Sequence, residues 1–235
     1  MGERLYEGKA KIVYRGDEPG VYLMEFKDDA TAFNGQKKGS ITDKGVVNAR
    51  LTARLLRLLE ERGIPTQFLA TAGERMLKVR ELAMVPVEVV VRNVAAGSLC
   101  QRLGVEKGRE FSPPLVELYL KDDSLGDPLV NRHHLRALGK SDDATLDRME
   151  ELAGRINEVL RPFFRERGLE LVDFKLEFGR TPDGEIVLGD EITPDTCRLW
   201  DAATRESLDK DRFRQDLGGV EEAYAEVARR VMDGG

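Results

Sequence analysis

Cysteine and histidine are nearly absent: the 235-residue chain has 2 of each, Cys100 and Cys197 and the adjacent pair His133-His134. Two cysteines so far apart, behind an opening Met1-Gly2-Glu3-Arg4 that is no apolar leader, are expected to be free thiols. Without a Cys/His cluster a zinc site has almost no material, and the histidine pair is expected on loop surface. Long apolar runs are missing too, since nothing approaches the about 20 residues of a membrane-spanning helix. No block of like charge extends beyond a few residues. With 37 basic against 43 acidic side chains the net charge is −6, so the basic face of a duplex-binding protein is not expected. These absences point to a soluble, cytoplasmic protein with neither nucleic acid nor membrane as its partner.

The familiar glycine motifs are absent as well. There is no G-x-G-x-x-G and no G-x-S-x-G. Gly139-Lys140-Ser141 has the ending of a phosphate loop, but His134 stands where the leading glycine would be.

What is present is 41% hydrophobic and 34% charged, enough for a sizeable core under a solvated surface, as one large domain or two packed lobes. Residues 5–15 are expected to be extended, Asp17-Glu18-Pro19-Gly20 to turn, and residues 21–26 to return as a strand. A lysine-rich stretch containing glycine follows at 34–44. From Val47, the residues Leu51, Leu55 and Leu58 recur at helical spacing, with Gly63 and Pro65 as the stop. The valine-rich run 84–92 suits a strand buried on both faces, although periodicity alone leaves a buried helix open. A second helix begins near Asp143, carries Leu146, Met149, Ala153, Ile156, Leu160 and Phe163 on one stripe, and stops at Gly168. A third starts at Gly219 with Val220, Tyr224, Val227 and Val231. Strands first, then strands mixed with helices, predict an α+β fold whose two lobes share a cleft.

Residues 169–178, LELVDFKLEF, alternate with period two. Val172, Phe174, Leu176 and Phe178 point one way; Asp173, Lys175 and Glu177 point the other, at intervals of about 6.5 Å. If Thr181 and Gly184 flank a four-residue turn, Lys175 lies opposite Asp190 and Glu177 opposite Leu188, so three acids surround one lysine. Such a face is ordinarily solvated and crossed by ion pairs. The acids continue in Asp190-Glu191-Ile192-Thr193-Pro194-Asp195 and end in Arg198, which makes a magnesium-phosphate site the functional reading.

Phosphates also need cations and approachable backbone. Tyr6-Glu7-Gly8-Lys9-Ala10-Lys11 puts two lysines on one strand face beside a glycine. Arg92-Asn93-Val94-Ala95-Ala96-Gly97-Ser98 ends a strand in arginine and opens a short helix, either as a phosphate cradle or simply with Ser98 as its cap.

At these motifs the chain resembles the SAICAR synthetase family of purine biosynthesis. The resemblance is carried by LYEGKAKIVY from Leu5, VPVEVVVRNVAAGS from Val85, DPLV from Asp127, LVDFKLEFG from Leu171, GDEITPDTCRLWD from Gly189 and DKDRFRQDLGG from Asp209. It implies a small antiparallel-sheet lobe over residues 1–83, a larger α+β lobe over 84–235, and ATP in the cleft between them. It implies an ATP-dependent ligase that activates the carboxylate of carboxyaminoimidazole ribonucleotide and joins it to L-aspartate, giving SAICAR, ADP and phosphate. By match of position, Gly8, Lys9 and Lys11 would lie beside the ATP phosphates, with Met84, Val85 and Glu88 in the stretch that contacts adenine. Glu177 and Asp190 would bind Mg²⁺; Arg92, Ser98, Arg198 and Asp195 would meet the ribonucleotide; Lys175 and Asp173 would be catalytic. Some members have Asp where this chain has Asn34, so no metal role is assigned there. The resemblance also implies a homo-oligomer, as a dimer. A small-molecule kinase and a nucleotide sensor without turnover are the competing readings.

Overall fold

The structure is a computed structural model that describes residues 2–32 and 36–233; the expectation at Asn34 lies outside the described residues. The first lobe opens with β1 (Arg4–Glu7), β2 (Lys11–Arg15) and β3 (Val21–Phe26). Residues 5–15 are therefore two strands rather than one. The chain reverses at Gly8-Lys9-Ala10, where the Gly8 amide donates to the Lys11 carbonyl at 2.9 Å. A small ribbon of β4 (Asp29–Ala32) and β5 (Lys37–Ser40) precedes α1 (Lys44–Glu61), and then come β6 (Phe68–Thr71) and β7 (Met76–Arg80). Strands β1-β2-β3-β7-β6 make one antiparallel sheet. Helix α1 begins earlier than the apolar repeat predicts because its first turn is capped from outside: the Asp28 carboxylate accepts from the Gly45 amide at 2.8 Å.

The second lobe starts with β8 (Ala83–Val94), followed by α2 (Ser98–Leu103), β9 (Glu110–Leu120), β10 (Leu129–Val130), α3 (Arg132–Ala137) and α4 (Asp143–Arg165). It closes with β11 (Leu169–Arg180), β12 (Ile186–Leu188), β13 (Cys197–Asp201), α5 (Asp211–Arg214) and α6 (Val220–Met232). Its sheet runs β10-β9-β8-β11-β12, with β13 also paired to β11. Helix α4 buries Leu146, Met149, Ala153, Ile156 and Leu160 against this sheet and against the core that α1 shares. The lobes are stitched where the Gln67 amide donates to the Leu188 carbonyl at 2.8 Å. Both cysteines are free.

Several expectations need correction. Strand β8 is not buried on both faces along its length: Val85, Val87, Val89 and Val91 enter the core while Glu88 and Val90 remain half-buried on the other side. Val172 leaves the stripe of Phe174, Leu176 and Phe178 and joins Val94, Ala96 and Trp200, because a bulge between Leu171 and Asp173 interrupts pairing with β13. The turn after β11 is one residue longer than expected. Thr181 and Glu185 close it, which puts Phe178, not Glu177, opposite Leu188. His133 and His134 lie on α3, where Asn131 and His134 form a capping box. Helix α2 is entered through Gly97, so Ser98 is its first residue and not its cap.

Candidate functional site

A cleft of about 1010 Å³ separates the two sheets. Glu88, Lys121, Lys175, Glu177 and Asp190 line it from the second lobe, and they belong to a face of the second sheet that the core does not use and that continues beyond the cleft lining to Arg92 and Asp173. On β11 this face carries Asp173, Lys175 and Glu177; on β8, Arg92, Val90 and Glu88; on β9, Glu117 and Tyr119, with Lys121 just beyond the strand end. The register aligns Asp173 with Arg92, Lys175 with Val90 and Glu117, and Glu177 with Glu88 and Tyr119. Three neighbouring strands thus share one polar face, and its two ends differ chemically.

One end is acidic and holds lysines. Lys175 Nζ reaches Glu88 at 3.1 Å and Asp190 at 3.3 Å, and it also bonds Glu177. Lys121 Nζ donates to Glu177 at 2.7 Å, and Lys11, from the first lobe, pairs with Asp190 and Glu191. Asp190 reaches this face despite the shifted register, because β12 ends at Leu188 and the chain leaves the pleat there. Burial disfavours the charged Lys175, but Asp190, Glu177 and Glu88 outweigh it and hold its pKa well above the usual lysine range. Burial likewise opposes ionisation of Asp190, yet Lys11 and Lys175 pull it well below the usual range. For Glu191, burial and neighbouring Asp190 prevail over Lys11 and raise it to about 7.

Four carboxyl groups face three ammonium groups here, and with the Glu191 pKa raised to about 7 the cluster is close to charge balance near neutrality. Among the described residues no three Asp, Glu, His or Cys side chains converge as a closed metal cage. A pair of hard carboxylate donors, Glu177 and Asp190, fits a cation such as Mg²⁺ that completes its shell with water and phosphate oxygens.

The other end is built on arginines. Arg92 is buried, with Nε 2.7 Å from Glu117 and Nη1 2.6 Å from Asp173. Arg198 reaches the same Asp173 Oδ2 at 2.8 Å and sends Nε to Asp211 at 2.8 Å. Arg214 pairs with Asp211 at 2.5 Å. Burial alone would lower the Arg92 and Arg198 pKa values, and the carboxylates beside them reverse this. Gly97 backs onto Arg198: at φ +59°, a Cβ there would lie 2.5 Å from Arg198 Nη2.

The expected residues fall as follows. Lys11, Glu88, Lys175, Glu177 and Asp190 meet at the acidic end, and Arg92 and Arg198 at the other, with exposed Ser98 one residue beyond Gly97. Gly8 and Lys9 line the cleft mouth, where Lys9 Nζ donates to Asp123 at 2.7 Å. Met84 faces the cleft, whereas the Val85 side chain turns into the core. Asp173 does not join Lys175; it is drawn to the two arginines because they supply closer cations. Asp195 is not in the arginine pocket. Its carboxylate is buried among Lys44 at 2.6 Å, Asn48 at 2.8 Å, Tyr224 at 3.0 Å and Lys210 at 3.4 Å. Lys121, Glu117, Tyr119 and Arg102 lie outside the expected set, whereas Glu191 belongs to the acidic run that carries the magnesium-phosphate reading. Glu117, Tyr119 and Lys121 carry the same period-two signal as Asp173, Lys175 and Glu177, in the segment ELYLK.

The family model of SAICAR synthetase matches residues 4–231. The chain belongs to the SAICAR synthetase family. It is 58% identical over 232 residues to the phosphoribosylaminoimidazole-succinocarboxamide synthase of Desulfitobacterium hafniense strain Y51, covering 99% of this chain and 97% of the relative. A crystal structure of that enzyme from Ehrlichia chaffeensis superposes with a TM-score of 0.95 at 40% identity, covering 97% of this chain and 98% of the other. A SAICAR synthetase solved in complex with ADP superposes with a TM-score of 0.94 at 51% identity and covers 97% of each chain. As a SAICAR synthetase the chain is an ATP-dependent ligase of purine biosynthesis, joining L-aspartate to carboxyaminoimidazole ribonucleotide. No helix among the described residues is long and apolar enough to cross a membrane.

Proposed function

We propose that the two ends of this polar face divide the substrates of this ligation. ATP enters from the first lobe, with its base beside Met84 and the backbone of Val85 and its phosphates beside Gly8, Lys9 and Lys11. The 51% identical structure in complex with ADP supports binding of an adenine nucleotide, and the lining of the cleft by Gly8, Lys9, Lys11 and Met84 supports this placement. Glu177 and Asp190 hold Mg²⁺, which when bound neutralises charge on the phosphates. The ribonucleotide sits with its phosphate at Arg92, Arg198 and Ser98, and its carboxylate points along the polar face toward Lys175. The observation that carries this reading is the shared polar face of β9, β8 and β11, with arginines at one end and the acid-lysine cluster at the other.

The chain's residues then have defined tasks. A carboxylate at neutral pH is a poor acyl donor. Lys175 orients it toward the γ-phosphorus and offsets charge as a carboxylate oxygen bonds to phosphorus and the bond to ADP breaks. The amine of L-aspartate then attacks the acyl carbon, and the phosphate leaves with the bonding electrons while the nitrogen loses its proton. No nucleophile from the protein is needed. Residues 1–83 and 84–235 act as two lobes of one unit, and we place the enzyme in the cytoplasm as a homodimer.

The division is tested by substrate-specific kinetics. Arg198→Ala should raise KM for the ribonucleotide and leave KM for ATP near wild type. The reverse pattern would interchange the two ends.

A further inference from the structure

Between the two ends of the polar face lies a bracket that the ligation itself does not explain. Glu117 is 8% exposed, yet it carries two guanidinium groups from different elements. Arg92 of β8 donates through Nε at 2.7 Å, and Arg102 of α2 donates through Nη2. The Tyr119 hydroxyl completes the arrangement. It donates to Glu117 Oε2 at 2.9 Å and accepts from Arg102 Nη1 at 3.2 Å and Arg92 Nη2 at 3.4 Å. One donor and two acceptor positions exhaust a phenol.

The donor inventory of Arg92 shows what this achieves. A guanidinium has five N–H groups in a rigid fork. Glu117 takes the one on Nε, Asp173 takes one on Nη1 and Tyr119 one on Nη2. One N–H remains on each terminal nitrogen, so Arg92 keeps two donors for a further anion. Arg102 is held in the same way, with Nε uncommitted and 29% of its side chain exposed. Its helix begins at the residue after Gly97, the glycine that backs onto Arg198.

We infer that Glu117, completed by Tyr119, is a positioning residue for ribonucleotide recognition, and that Arg102 is a further phosphate-binding cation of the same pocket. This inference rests on the placement of the ribonucleotide at Arg92 and Arg198. Glu117 acts through the arginines: it fixes the rotation of Arg92 about its last bonds and ties α2 to the polar face.

The test is steady-state kinetics on the full-length enzyme with each substrate varied in turn, together with melting temperatures. The variants are Glu117→Gln, Tyr119→Phe, Arg102→Ala, Arg92→Lys and the double variant Arg92→Lys/Glu117→Gln. Glu117→Gln should raise KM for the ribonucleotide by about 10-fold or more, the scale of one charge-assisted hydrogen bond, with kcat and KM for ATP within about 2-fold of wild type. Tyr119→Phe removes a single hydroxyl from a folded protein and should move the same constant in the same direction by less. Arg102→Ala should also raise it. The double variant should be far less than multiplicative, because both changes act on one group. If Arg92→Lys raises ribonucleotide KM while Glu117→Gln and Tyr119→Phe lower only the melting temperature, the positioning role is overturned and the pocket stands. If Arg92→Lys itself leaves ribonucleotide KM unchanged, the pocket is misplaced and both fall.

Discussion

Asp173 lies between two guanidinium groups: its Oδ2 is 2.6 Å from Arg92 Nη1 and 2.8 Å from Arg198 Nη1. Two arginines this close, one buried and one mostly so, need an anion between them until substrate arrives. On the proposed placement of the ribonucleotide phosphate at Arg92 and Arg198, Asp173 would set the spacing of this pair rather than take part in group transfer. Asp173→Asn is expected to raise KM for the ribonucleotide by about 10-fold, with a smaller change in kcat. Initial rates at varied ribonucleotide decide it. A kcat loss at unchanged KM would return Asp173 to the reacting centre.

Lys175 occupies the reverse situation, one ammonium among Glu88, Glu177 and Asp190. Lys175→Met should lower kcat by about 10²-fold or more, the scale of one lost preorganised electrostatic contact. Stability should fall as well, since three carboxylates lose a shared partner. Near-normal kcat with only a lower melting temperature would make Lys175 a pairing residue alone.

Glu177→Gln and Asp190→Asn should each lose most turnover and shift the magnesium dependence to higher concentration. Titrating Mg²⁺ at fixed ATP measures this directly. An unchanged magnesium profile in either variant would reduce that acid to an ion-pair partner.

Asp195 offers a pH signature. Burial opposes its ionisation, but Lys210 and Lys44 prevail and hold its pKa far below the usual carboxylate range. A carboxylate whose pKa is depressed on folding adds stability above its unfolded value of about 3.9, and that stability is lost as pH falls below it. Asp195→Asn, which leaves fully buried Lys44 without its anion, should cost about 3 kcal/mol or more near neutrality. Melting curves should show the gap between wild type and variant closing as pH drops below about 4. A gap independent of pH would contradict the ion-pair account.

Much of the scaffold was legible because its signals are local. The stripe of α4, the stop at Gly168, and the alternation of Phe174, Leu176 and Phe178 against Lys175 and Glu177 all depend on residues near in sequence. What was misread depends on distant partners. Asp173 and Lys175 are neighbours on one strand face, and only the strand that brings Arg92 and the one that brings Arg198 give them different partners. Asp195 belongs to an acidic run in sequence but faces α1 and α6 in space. The register after β11 was displaced by one residue because Glu185, not Gly184, closes the turn, and Asp190 reached the predicted face only because the strand ends before it. Glu117 and Tyr119 needed β9 to be recognised as the neighbour of β8, a pairing that no local pattern states.

The enzyme couples ATP cleavage to joining two other substrates. The most direct measurement is ADP release by the purified enzyme with ATP and magnesium, with the ribonucleotide and L-aspartate supplied separately and together. Rapid, sustained ADP formation only when both are present, with one succinocarboxamide product formed per ADP, is the predicted result. Equal ADP release without the ribonucleotide, or full turnover without aspartate, would contradict it.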